Sequence, residues 1–133
     1  MKTRPTTLLP IALLTSLVFA ASPEAQEEKP AADPKPIRAL MITGGCCHDY
    51  EKQKLIISSG ISERAKVDWT IIHEGGTSRD HKVSVYSKPD WADGYDVILH
   101  NECFGALTDD AFIEGITKAH KDGVASVALH CSA

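Results

Sequence analysis

Four short apolar runs constrain this chain more than any other feature: IRALMITGG at 37–45, VDWTIIHE at 67–74, YDVILHNE at 95–102 and VASVALH at 124–130. Each is a short, nearly continuous apolar run, as expected of strands buried on both faces of a parallel sheet. The segments between them decide how the strands connect. Residues 49–65 read as a helix with Asp49 as N-cap, placing Leu55, Ile56, Ser59 and Ser62 near one another, although Gly60 weakens it. Residues 108–123 read as a second helix, with Thr108 as N-cap, acidic residues in the first turn, Phe112, Ile116 and Ala119 on one face, and Gly123 at the end. The long stretch 75–93 reads as a loop with at most a short extended piece at Val83 to Tyr86, and a loop of that length is either functional or mobile. Strand, helix, strand, loop, strand, helix, strand predicts an α/β fold: an open parallel sheet of flavodoxin-like or Rossmann-like type with right-handed crossovers and strand order 2-1-3-4.

The segment before the first run is of a different kind. Residues 1–21 carry Lys2 and Arg4 ahead of an apolar stretch from Leu8 to Phe19, then small residues, which is the pattern of a secretory signal peptide. That apolar stretch is shorter than the roughly 20 residues a spanning helix needs. Residues 22–35 are rich in Pro, Ala, Glu and Lys with no large apolar side chain, so they read as a disordered linker. The expected domain is therefore 36–133, in an exported chain that is periplasmic or extracellular and has no membrane segment after cleavage. A net charge of −4 with scattered basic residues argues against nucleic acid or an anionic lipid surface as a partner.

Ligands of open α/β sheets bind beyond the carboxyl ends of the strands, and the unusual residues of this chain gather there. The first strand runs into GGCCHDY, the second ends in HE, the third in HNE and the fourth in HC, so His48, His73, His100 and His130 all stand at strand ends. His73 falls on the expected edge strand, away from the cleft, and His81 and His120 read as surface residues. Gly44 and Gly45 allow a sharp turn that brings backbone amides toward a ligand, without forming a dinucleotide fingerprint. His48 and Asp49 stand at a helix start, where an anionic or hydroxyl-rich group would be favoured, with capping as the structural alternative for Asp49. Asn101 and Glu102 should point to opposite sides of their strand, and Glu102 could serve as a general base or support a histidine. His48, His100, Glu102 and His130 form a donor set suited to a divalent metal such as zinc, though no local metal-site spacing supports it.

The four cysteines, Cys46, Cys47, Cys103 and Cys131, do not have the spacing of a disulfide framework, which favours thiols for most of them. Cys131 occupies the strand-to-helix position of a nucleophile elbow, where a helix start and a histidine could activate it. Leu129 and Ala133 stand where such an elbow has glycines.

With ALMITGGCCHDY, DVILHNECFG and VALHCSA in this order, residues 37–133 resemble the N-terminal part of a ThuA-like domain, the trehalose-utilisation family. That family shares the class I glutamine amidotransferase-like fold. The resemblance implies an incomplete domain, cut after its fourth strand, that binds or acts on a carbohydrate such as a trehalose-like disaccharide or a keto-sugar derivative. It does not imply glutaminase activity, because the glycines flanking the amidotransferase cysteine are absent around Cys131. The expected catalytic residues are His130, His100, Glu102 and Cys131, and the expected substrate-binding residues are Gly44, Gly45, His48, Asp49 and Asn101. The expected chemistry is acid–base work at a sugar, with a proton carried by His130 or His100 and oriented by Glu102 or Asp49. A non-catalytic sugar-binding module and a thiol-dependent hydrolase or amidotransferase-like enzyme using Cys131 are the alternatives.

Overall fold

The computed structural model describes residues 33–132; the expected signal peptide, most of the expected linker and Ala133 lie outside the described residues, as does the His130 side chain. Strands β1 (Ile37–Gly45), β2 (Val67–His73), β3 (Val97–Cys103) and β4 (Ala125–Ala128) form one sheet in the order β2-β1-β3-β4, with every pairing parallel. Helix α1 (Tyr50–Ser62) connects β1 to β2, and α2 (Asp110–Lys121) connects β3 to β4. This is the open α/β sheet that the four apolar runs predict, with β1 and β3 central. Leu40, Met41, Ile42 and Ile98 are fully enclosed there, as expected of strands covered on both faces.

The two faces are covered differently. α1 packs on β1 and β2. The other face carries the main core, in which Leu40, Ile42 and Ile98 pack with Val83, Tyr86, Trp91 and Ala92, and Phe112, Ile116 and Ala119 of α2 press against them. The stretch between β2 and β3 is thus a packed layer. Ser84–Ser87 forms a 3₁₀ turn where an extended piece was expected, and Tyr86 and Trp91 meet edge to face with ring centroids 4.8 Å apart. On the α1 side of the sheet, Val127 of β4 is 46% exposed. It shares a small apolar hollow with Val97, Leu99 and Trp69.

Two helix details correct the sequence reading. In α1, Leu55 and Ile56 are 60% and 70% exposed. Tyr50 is buried at the first turn and sets the rotation, so the inward residues follow it at three- and four-residue steps: Gln53, Lys54, Ile57 and Ser58. In α2 the cap is Asp109, whose side chain accepts from the Phe112 amide, and not Thr108. One residue's shift satisfies the same orphan amides.

Candidate functional site

At the end of β1 the backbone turns through Gly44 and Gly45, with φ of +134° and +97°. A Cβ on Gly44 would overlap the Glu74 carbonyl, and one on Gly45 would overlap the Cys103 carbonyl. These glycines therefore let β1 pass close between its two neighbours, and neither lines a described cavity. The chain then crosses Cys46–Cys47, which form a disulfide between adjacent residues, with Cys47 also at positive φ, 86°. The pair whose adjacency argued against a disulfide framework is the bonded one. His48 follows, and Asp49 caps α1 by accepting from the Lys52 amide at 3.1 Å. The Lys52 hydrogen bonds hold the Asp49 carboxyl below its ordinary value, and capping is the role its geometry displays.

Strand alternation divides the remaining candidates between the faces of the sheet. Asn101, 5% exposed, lies on the α1 side and donates to Thr43 Oγ1 at 3.2 Å. With His48, Tyr50, Gln53, Ile57, Leu129 and Cys131 it lines a cavity of about 410 Å³. This cavity sits over the ends of β1 and β3, the point where the sheet order reverses. After β4, the Leu129 amide donates to the His100 carbonyl, and Ser132 Oγ both accepts from the Glu102 amide and donates to the Glu102 carbonyl. Those bonds lay the 3₁₀ turn His130–Ser132 along the end of β3. They bring Cys131 Sγ to 3.6 Å from His48 Nε2.

His100 and Glu102 face the other way. Tyr86 Oη donates to Glu102 Oε1 at 2.6 Å, and His100 Nδ1 lies 3.0 Å from the same oxygen and 2.9 Å from Tyr86 Oη. Across the ring, His100 Nε2 is 2.9 Å from His120 Nε2, and His120 Nδ1 is 2.9 Å from the Val124 carbonyl oxygen. That carbonyl only accepts, so His120 Nδ1 carries a hydrogen, and a single proton lies between the two Nε2 atoms. The close approach of His100 Nδ1 to Glu102 Oε1 then needs a proton between them. Burial, and then the neighbouring Glu102, push the Tyr86 hydroxyl far above its ordinary value, so it stays a donor. Glu102 Oε2 is buried with no hydrogen-bond partner among the described residues. Glu102 lines a smaller cavity of about 140 Å³ with His81, Tyr86, Phe104, Phe112 and Cys131, so Cys131 borders both cavities.

Of the metal set suggested by the sequence, His48 lies on the α1 side whereas His100 and Glu102 lie on the α2 side, so these three do not converge among the described residues. Among the described residues, the donor atoms that converge are sulfurs, those of Cys46, Cys47 and Cys103. Cys46 Sγ is 3.9 Å from Cys103 Sγ, and the contact between Cys131 and Cys103 pushes the half-buried Cys131 thiol above its ordinary value. Tyr50 is raised as well, by burial first and then by Cys103 and Cys131.

Sequence reasoning missed Tyr86, Trp91 and His120. His120 had a legible signal, since it lies four residues after Ile116 and eight after Phe112, on the apolar stripe of α2. His73 is held at the sheet edge by Glu51 and Lys54, in keeping with its expected place away from the cleft, and His81 pairs with Glu74 at 3.1 Å. Compared with protein-family models, curated proteins and solved structures, the chain matches none.

Proposed function

We propose that this is an exported protein that binds a carbohydrate, a trehalose-like disaccharide or a keto-sugar derivative, in the cavity over the ends of β1 and β3. The observation that carries the reading is the composition of that cavity at the switch point of the sheet. Its volume, about 410 Å³, suits a small-molecule ligand. Gln53, Asn101 and His48 offer hydrogen-bonding groups for sugar hydroxyls, and Tyr50, Ile57 and Leu129 offer apolar surface for the ring faces. The resemblance of the strand-end motifs to ThuA-like domains supports the ligand class. Acid–base chemistry on a bound sugar falls to His48, which lines this cavity, rather than to His100, which is 7% exposed and enclosed by Tyr86, Trp91 and His120.

Titration calorimetry with trehalose and a panel of disaccharides and their keto-derivatives tests the reading. Saturable binding to one of them, weakened about tenfold or more by Gln53→Ala or Asn101→Ala, is expected; tenfold corresponds to about 1.4 kcal/mol. No binding heat with any of them, or binding that both variants leave unchanged, would overturn it.

The 3.6 Å approach of Cys131 Sγ to His48 Nε2 favours a second reading, thiol-dependent hydrolysis with His48 as base. The upward push on that thiol from Cys103 works against it. Cys131→Ala separates the two, since it would abolish a thiol-dependent hydrolysis and leave sugar binding within a few-fold.

A further inference from the structure

The structure assigns a second site, independent of the sugar reading: Cys46, Cys47 and Cys103 form a binding site for a thiophilic divalent cation such as zinc, open when the cysteines are reduced and closed by the Cys46–Cys47 disulfide. Three observations carry it. The three sulfurs lie within 4.8 Å of one another. Cys46 Sγ and Cys103 Sγ are 3.9 Å apart, and zinc–sulfur bonds of about 2.3 Å place two sulfurs of one metal roughly 3.8 to 4.0 Å apart. Finally, the backbone fixes the approach. Gly45 pairs with Cys103 in the sheet, the Cys46 amide donates to the Cys103 carbonyl at 3.2 Å, and Cys47 is turned back at positive φ.

Cys103 is buried whereas Cys47 is exposed, so the set has a rigid floor and an open side. Cys131, which contacts Cys103, stands beside the three as a neighbouring sulfur. In the disulfide state two of the three sulfurs have no thiolate to offer. A dithiol reductant breaks the Cys46–Cys47 bond, giving two protein thiols and the reductant's own disulfide. Coordination of the cation by the three sulfurs then releases their protons to solvent.

Cobalt(II) alone is the probe, added to the full chain under anaerobic conditions before and after reduction and removal of the reductant. Reduced protein is expected to develop sulfur-to-cobalt charge-transfer absorption that saturates at one equivalent and is displaced by zinc, while oxidised protein shows none. Cys103→Ser and Cys47→Ser should each weaken cobalt binding at least tenfold. Circular dichroism checks the fold, and the exposed Cys47→Ser decides the matter should Cys103→Ser fail to fold. Absence of the charge-transfer band in reduced protein, equal binding by oxidised protein, or wild-type affinity in folded Cys47→Ser would each overturn the assignment.

Discussion

Tyr86→Phe removes one oxygen from the buried cluster of Tyr86, His100 and Glu102 and leaves the shape of the core intact. The ring is 8% exposed and packs edge to face on Trp91 and Phe112, contacts that phenylalanine keeps. What disappears is the 2.6 Å hydrogen bond to Glu102 Oε1 and the 2.9 Å contact with His100 Nδ1. A buried hydrogen bond to a charged group contributes about 1.5–3 kcal/mol, and a stranded acceptor adds to the loss. Glu102 already has one buried oxygen without a partner among the described residues, so after the substitution it depends on His100 alone. The expected cost is about 2–3 kcal/mol, read in urea unfolding as a lower midpoint at unchanged slope. In a Glu102→Leu background the hydroxyl retains only His100 as a partner, and its removal should cost about 1 kcal/mol, leaving a coupling of roughly 1–2 kcal/mol between Tyr86 and Glu102. A cost of Tyr86→Phe below about 0.5 kcal/mol, or the same cost in both backgrounds, would refute the network as described.

Three further outcomes follow from the fold. Gly44→Ala forces a Cβ against the Glu74 carbonyl at a positive φ, so unfolding experiments should show a loss of more than about 2 kcal/mol or no folded protein. Ile56→Lys, at 70% exposure, should change stability by less than about 0.5 kcal/mol; a large loss would contradict the outward placement of Ile56. Arg38 holds Asp96 at about 2, below the ordinary 3.8. Its contribution is therefore present above pH 3.8 and lost as the pH falls toward 2. Asp96→Asn should flatten part of the fall in melting temperature over that window, and an unchanged slope would contradict the pairing.

The strands were legible because period and composition agree: runs such as ALMIT and DVIL belong to a sheet covered on both faces, and alternation with helices restricts the order to a few parallel topologies. The rotation of α1 was not legible. Its apolar residues do not form one stripe, and the burial of a single aromatic, Tyr50, fixed which face turned inward. Residues 75–93 misled for a related reason: Val83, Tyr86 and Trp91 carry no period, yet they fill the core beside α2. Strand ends predicted where chemistry-bearing side chains gather, but not how they divide between faces. Asn101 and Glu102 were expected on opposite sides and lie so; Cys46, Cys47, His48 and Cys131 were placed by turns whose geometry no local pattern announced.

The central claim is that the cavity over the ends of β1 and β3 takes the sugar. Amide chemical-shift mapping on isotope-labelled protein during titration with the best-binding disaccharide addresses it directly. The account predicts shifts concentrated at His48, Tyr50, Gln53, Asn101 and Cys131, with the amides of Arg38, Asp68 and Asp96 at the opposite end of the strands unmoved. Shifts confined to that opposite end, or to residues of the smaller cavity around Phe104 and Phe112, would contradict it.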